Sequence, residues 1–373
     1  MALTRAFPLL LLATFAASAA EIPGHRADKP RLEPLSGAPP QPADNPSTPE
    51  KIALGKKLFF DNILSGSNRR SCSTCHNPEL YFTDGFSRAW GLNESELRRK
   101  TPNLLNAGWQ QSMFFDGREK SLEDQVPKPL ENPFEMDIDP AEAAERVAAH
   151  PFYKQAFAQT FPGEEVTFDL IAKAIATYER TLVSYDSDLD RYLLGDESAL
   201  SPEALRGMAL FSGKAGCIQC HNGPLLTDHR KHYTGVAENA GDNPAGTKYK
   251  TQSLRDVLRR YSYMHNGEML KIEAVLEHYQ KGGSAPAGLE AEIRPFTLTA
   301  EEKGDLLAFL GALNGRVNEL LDASPAATDI FNISQAPLNL DDEEAAAGPV
   351  TDPNYIKPKA DGPVTDPNYV KKP

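Results

Sequence analysis

The pentapeptide Cys-x-x-Cys-His occurs twice, at residues 72–76 and 217–221, and its two copies contain all four cysteines of the chain. This spacing is typical of c-type haem attachment, in which two thiols add to the porphyrin vinyl groups and the adjacent histidine ligates the iron. Redox-active cysteine pairs and zinc sites also use C-x-x-C, but neither explains a histidine directly after each second cysteine. The sequence therefore predicts two covalent haems, attached through the residues Cys72, Cys75, His76, Cys217, Cys220 and His221.

The first twenty residues have the pattern of a secretory signal peptide. Arg5 precedes an apolar run at residues 8–17 that is too short to span a bilayer, and small residues follow at the cleavage positions. No later stretch is long and apolar enough for a membrane helix. These features predict export to a bacterial periplasm, where c-type haems are assembled, without membrane insertion.

The net charge of −13 restricts the partners that this chain can bind. An acidic surface repels nucleic acid and anionic membranes, so neither is an expected partner. The same charge suits docking of a basic electron-carrier protein. Because haem attachment uses every cysteine, no disulfide is expected despite the oxidising compartment.

A helix start precedes each haem motif. Pro49 and Pro202 occupy early helical positions, and Ser47 and Glu50 have capping-box spacing. Apolar residues at helical spacing predict a closing helix for each unit, at residues 168–183 and 298–313. The repeated order of helix, loop and C-x-x-C-H predicts a duplicated cytochrome c-like unit.

We therefore expect a mostly α-helical fold with two cytochrome c-like haem domains, long connecting loops and a disordered C-terminal tail. The tail is acidic and rich in proline, and it repeats the sequence GPVTDPNY. The predicted segments are a signal peptide (1–20), an extended leader (21–46), an N-terminal haem domain (47–195), a C-terminal haem domain (196–322) and the tail (323–373).

Seven further stretches, in order between residues 47 and 320, resemble the di-haem cytochrome c peroxidase family and its MauG/MbnH-like branch. They are KKLFFD (56–61), TPNLLN (101–106), FDGR (115–118), NPFEM (132–136), SLR (253–255), YMHNG (263–267) and LLAFL (306–310). The resemblance implies that the N-terminal haem reacts with hydrogen peroxide and that the C-terminal haem transfers electrons.

The resemblance also implies that the distal face of the N-terminal haem is open. The sequence agrees with this in part, because no histidine lies between His76 and His150 to cap the iron. Met113 and Met136 are possible caps, although methionines at such positions are more often packing residues.

Three site residues follow from the same resemblance. Glu135 is the expected acid–base group that moves a proton during peroxide cleavage, and Gln125 is expected to line the same pocket. Arg118 is expected to bind a haem propionate, with a structural salt bridge as the alternative.

The sixth ligand of the second haem is expected to be Tyr279. Classical members of the family have methionine fourteen residues after the histidine that matches His265, whereas MauG-like proteins have tyrosine. In this chain the count reaches Tyr279. His278 and Met269 are competing ligands, and Tyr279 could instead be a packing residue.

Three positions depart from the family. Phe115 replaces a tryptophan between the haems, which puts fast charge sharing in doubt unless another aromatic such as Trp109 substitutes. Lys100 replaces an asparagine that commonly ligates calcium, so calcium is doubtful and the lysine ammonium could replace its charge. Ala215 replaces the surface tryptophan of MauG, which argues against conversion of a methylamine dehydrogenase precursor.

The sequence thus predicts a peroxide-utilising di-haem oxidoreductase with hydrogen peroxide as substrate. Its redox partner is expected to be a small electron-carrier protein. The alternatives are MauG- or MbnH-like oxidation of residues on a partner protein, and a non-catalytic di-haem electron carrier.

Overall fold

A computed structural model of the protein describes residues 30–92, 95–236, 246–284 and 288–317, together with a two-residue strand at 369–370. The described residues from Arg31 onward belong to one compact unit. The predicted signal peptide, the first residues of the leader and nearly all of the predicted tail lie outside the described residues.

Helices dominate the regular structure, as predicted, and no helix in the described ranges has the length and apolar character needed to cross a membrane. The helices are α1 (Pro49–Phe60), α2 (Cys72–Cys75), α3 (Leu122–Gln125), α4 (Pro127–Glu131), α5 (Pro140–Ala149), α6 (Pro151–Thr160), α7 (Phe168–Glu179), α8 (Asp188–Leu193), α9 (Pro202–Ser212), α10 (Ile272–Gln280) and α11 (Ala300–Gly311). The strands form three antiparallel pairs: β1 (Glu96–Leu97) with β6 (Tyr369–Val370), β2 (Ser184–Tyr185) with β5 (Arg316–Val317), and β3 (Lys231–His232) with β4 (Tyr249–Lys250).

Side-chain caps begin the predicted helices, with one difference from the sequence analysis. Thr48, rather than Ser47, caps α1, because its hydroxyl accepts a hydrogen bond from the backbone N–H of Lys51. The predicted capping box at Ser47 is therefore wrong. Ser201 caps α9, and Thr299 caps α11 in a capping box with Glu302.

The predicted helix at residues 168–183 is shorter in the structure. It ends at Glu179, because the backbone N–H groups of Thr181 and Leu182 bond to carbonyls three residues earlier and form a tighter turn.

Two helix pairs cross at a glycine. A Cβ atom on Gly55 of α1 would lie 1.9 Å from the carbonyl oxygen of Ala174 in α7. A Cβ atom on Gly207 of α9 would lie 2.0 Å from the carbonyl oxygen of Asp305 in α11. Only glycine permits so close an approach of two helices, and such a glycine contact occurs once beside each haem motif.

The described residues contain two large hydrophobic cores that follow each other along the chain. The first contains buried residues from Ala53 to Leu182, and the second from Leu189 to Leu313. The described part of the leader, 30–46, contains no helix or β-strand, and the N–H of Leu35 donates to buried Asp190 at 2.8 Å. Two successive cores favour a two-domain division, whose predicted boundary at residue 195 stays a prediction.

Candidate haem sites

The first motif forms the single helical turn α2, and His76 follows it directly. The backbone N–H of Ser71 donates to the Thr74 hydroxyl at 3.0 Å, which fixes the start of this turn. The Nδ1 atom of His76 lies 3.1 Å from the carbonyl oxygen of Phe82, so Nδ1 donates and Nε2 is the atom that would ligate iron. Burial lowers the pKa of His76, which keeps the ring neutral, as a ligand must be.

The second motif repeats this arrangement. A short 3₁₀ turn at Cys217–Gln219 leads to His221, whose Nδ1 donates to the carbonyl oxygen of Leu226 at 3.0 Å. Burial again lowers the histidine pKa. Each predicted proximal histidine is thus oriented by a carbonyl a few residues later in the chain.

The thiols do not have the character of redox-active cysteines. Burial raises the pKa of Cys72, Cys75 and Cys217 to about 12. Redox-active C-x-x-C pairs instead depend on a lowered pKa, which provides the thiolate. The raised pKa values therefore argue against thiol–disulfide exchange at these three cysteines.

A cavity of about 250 Å³ lies beside the second motif. Its lining includes Cys217, Cys220 and His221 from the motif and Tyr279 from α10. The structure thus brings together the two thiols, the predicted proximal ligand and the predicted sixth ligand, although 58 residues separate the last two in sequence. The two thiols and His221 are the groups that a c-type haem requires, and Tyr279 adds an oxygen of the kind that ligates haem iron in catalase.

Contacts around α10 separate Tyr279 from its competitors. The Nε2 atom of His278 donates to the carbonyl oxygen of Thr234 at 2.8 Å, and its Nδ1 lies 3.2 Å from the Ser284 hydroxyl. Both ring nitrogens of His278 are therefore engaged. Met269 is absent from the cavity lining, whereas Met264, which the sequence analysis did not consider, is present.

The Tyr279 hydroxyl lies in an environment that disfavours its free anion. Burial and the nearby Cys220 and Cys217 raise its pKa, while a hydrogen bond with the Thr234 side chain opposes the rise. A metal cation beside the oxygen would offset this burial cost, since coordination to a cation favours the deprotonated form of the group.

Glu135 lies close to the first motif. Burial is the largest cause of the raised Cys75 pKa, and the charge of Glu135 is the next. The Oε1 atom of Glu135 accepts a hydrogen bond from Asn132 Nδ2 at 2.8 Å, which orients the carboxylate. Gln125 is half-buried at the end of α3, and its place in the same pocket as Glu135 stays a prediction.

The positions that depart from the family differ in their placement. Lys100, Phe115 and Ala215 line the second cavity. Trp109 lies instead beside a separate cavity of about 520 Å³, together with Arg180. Trp109 is thus not among the described lining residues of the second haem cavity, so its proposed substitution for the missing tryptophan gains no support.

Arg118 forms an ion pair with Asp116 at 3.0 Å and stacks on Phe114, 3.4 Å from its ring centre. It does not line the second cavity. The alternative of a structural salt bridge is therefore present in the structure, and a propionate contact stays a prediction.

The sequence analysis missed several charged groups around the second cavity. Lys250 and Arg260 line it, and so does His232, whose Nε2 lies 2.7 Å from Asp228 Oδ2. This hydrogen bond raises the pKa of His232 to about 10. Cys220, Asp228 and His232 converge as a metal site would. Because the motif commits Cys220 to haem, we assign no separate metal to them.

Residues 49–198 match the family model for di-haem cytochrome c peroxidase. The methylamine utilization protein MauG of Methylorubrum extorquens is 43% identical over 301 residues, which cover 77% of this chain and 82% of MauG. The chain belongs to the di-haem cytochrome c peroxidase family. The family resemblance predicted from the motifs is thereby confirmed.

Other relatives include both peroxidases and a MauG-like protein. The cytochrome-c peroxidase IdrP1 of Pseudomonas sp. is 35% identical over 369 residues, 88% of this chain and 96% of IdrP1. A solved MauG-like protein associated with microbial copper homeostasis has a TM-score of 0.70 and 33% identity, covering 82% of this chain and 99% of its own. The di-haem peroxidase is therefore an oxidoreductase enzyme, as predicted, and its family implies two haems and hydrogen peroxide.

Proposed function

We propose that this enzyme is periplasmic and reduces hydrogen peroxide at a haem attached to Cys72 and Cys75, with electrons supplied through a second haem attached to Cys217 and Cys220. The reaction consumes two electrons and two protons per peroxide and releases two waters. The proposal rests on the cavity that is lined by both the second motif and Tyr279. The N-terminal signal sequence supports the location.

Bound haem iron supplies the redox centre for peroxide cleavage, and a side chain of the protein transfers the proton. Glu135, oriented by Asn132, would take a proton from one peroxide oxygen and deliver it to the departing one. Its position near Cys75 supports this role.

Tyr279 would hold the second haem together with His221, as the proposed sixth ligand of its iron. An anionic oxygen stabilises ferric iron and lowers the reduction potential relative to methionine. The engaged nitrogens of His278 and the absence of Met269 from the described cavity lining support Tyr279.

Lys100 is the proposed replacement for the calcium of related enzymes. Its Nζ donates to the carbonyl oxygens of Ser262 at 2.5 Å and Tyr261 at 3.2 Å. Carbonyl oxygens are ligands that calcium also uses. An ammonium group can thus link the same kind of oxygens without a metal.

Oxidation of residues on a partner protein is the second candidate function. Tyr279 and the similarity to MauG favour it. Phe115 is harder to oxidise than tryptophan and Ala215 cannot relay charge, which places peroxide reduction first.

Mass spectrometry of mature protein tests the foundation of the proposal. We expect two covalent haems, attached at residues 72–75 and 217–220. Stopped-flow spectra should then show reaction with peroxide at the haem of His76. A protein with one haem, or with zinc, would refute the proposal.

A further inference from the structure

Three cations line the second haem cavity: Lys100 and Lys250, which are buried, and Arg260, which is partly buried. The exposed fraction is 8% for Lys100 and 6% for Lys250. Lys100 lies in a segment without helix or strand, Lys250 ends β4, and Arg260 follows the 3₁₀ turn at Val257–Arg259. All three therefore reach the cavity from elements other than the cysteine motif.

The hydrogen bonds of these cations leave donors available. Lys100 bonds to the carbonyls of Tyr261 and Ser262, and Lys250 bonds to that of Ser112. An ammonium has three donors, so each lysine retains at least one.

Arg260 also donates to carbonyls, those of Ser253 and Arg255. Its Nε atom is buried and has no hydrogen-bond partner among the described residues. A buried donor of this kind is costly and points to a missing acceptor.

The cluster contrasts with two buried arginines of the protein. Arg255 lies 2.7 Å from Asp190, and Arg180 lies 2.8 Å from Glu123. Within the described part of the chain, no carboxylate forms such an ion pair with a member of the cluster. Glu292, the carboxylate in the cavity lining, is exposed and pairs with none of them.

The positive charges of Lys100, Lys250 and Arg260 are therefore not balanced by an ion pair among the described residues. Burial, as the main cause, lowers the pKa of Lys100 to about 7 and that of Lys250 to about 8. Asp84 and Asp116 act in the opposite direction, but too weakly to reverse it. Buried charges in proteins are normally paired, so the cavity favours a ligand with more than one negative charge.

We propose that Lys100, Lys250 and Arg260 form a carboxylate-binding site for the two propionates of the second haem and thereby raise its reduction potential. This inference rests on the proposed haem function. A c-type haem carries its propionates on the side away from its thioether bonds, and the cations come from elements away from the cysteines. Their positive charge favours the reduced haem and offsets the opposite effect of a Tyr279 ligand.

Potentiometric titration of the two-haem protein tests the site. Lys250→Met and Lys100→Met should each lower the midpoint potential of the second haem, while the double variant lowers it further. Lys248→Met is the matched control, because Lys248 is exposed, pairs with Glu290 and does not line the cavity. The control should keep the wild-type potential.

Lys250→Arg retains the charge and addresses the case in which a methionine variant fails to mature. It should keep the potential close to wild type and shift the propionate bending band in the resonance Raman spectrum. Wild-type potentials in both methionine variants, or an unmoved propionate band in Lys250→Arg, would overturn the site. Two haems by mass in those samples would leave the proposed peroxidase function intact.

Discussion

The Nε2 atom of His278 donates to the carbonyl oxygen of Thr234 at 2.8 Å, whereas the adjacent Tyr279 lines the cavity beside the second motif. The Thr234 carbonyl therefore engages the ring nitrogen of His278 that would otherwise be available to a metal. Of these two adjacent residues of α10, His278 therefore has a structural role, and Tyr279 is the candidate ligand.

Tyr279→Phe should consequently open the second haem, since His278 is not positioned to replace the lost oxygen. We expect the low-spin EPR signal of that haem to be lost and its midpoint potential to rise. Tyr263→Phe is the matched control, because Tyr263 lines the same cavity but donates its hydroxyl to the Val257 carbonyl. Tyr279 is not the ligand if the low-spin signal of Tyr279→Phe equals that of wild type.

Glu135→Gln should slow the reaction with peroxide by about 100- to 10,000-fold, the usual contribution of a general acid–base group. Stopped-flow spectroscopy measures the rate, while haem content and melting temperature should stay near wild type. Glu131→Gln serves as a control, because Glu131 forms an exposed pair with Lys128. Unchanged peroxide kinetics in Glu135→Gln would exclude the acid–base role.

Chelator treatment should leave the spectra and activity of the protein unchanged, because the Lys100 ammonium already bonds to the Tyr261 and Ser262 carbonyls. Elemental analysis of purified protein should find no stoichiometric calcium. Calcium that leaves together with activity would contradict the proposed replacement.

Gly207→Ala should destabilise the protein by about 1–3 kcal/mol, the usual cost of overpacking. The added methyl would lie 2.0 Å from the Asp305 carbonyl oxygen. Gly304→Ala is the opposite case on α11, because nothing lies within 4 Å of its Cβ position. It should be neutral or stabilise by up to about 1 kcal/mol through helix propensity. Denaturation followed by far-ultraviolet circular dichroism separates the two; equal effects would contradict the close helix contact.

Short-range patterns in the sequence determined much of this protein. The two C-x-x-C-H motifs predict haem attachment because the chemistry needs two thiols and a histidine at fixed local spacing. The helices around them follow from apolar periodicity and caps, as at Ser201 and Thr299. The family could also be identified from the sequence, since its motifs keep their order along the chain.

Only the tertiary structure decided which distant groups meet. The count from His265 favours Tyr279 but leaves the adjacent His278 as a competitor, and the Thr234 carbonyl, 44 residues before His278, engages a ring nitrogen of that histidine. Lys250 and Arg260 show no sequence signal, because their role depends on burial beside the same cavity. Burial and long-range contact set the charge, the pKa and the hydrogen-bond partners of a side chain, and local spacing contains none of these quantities.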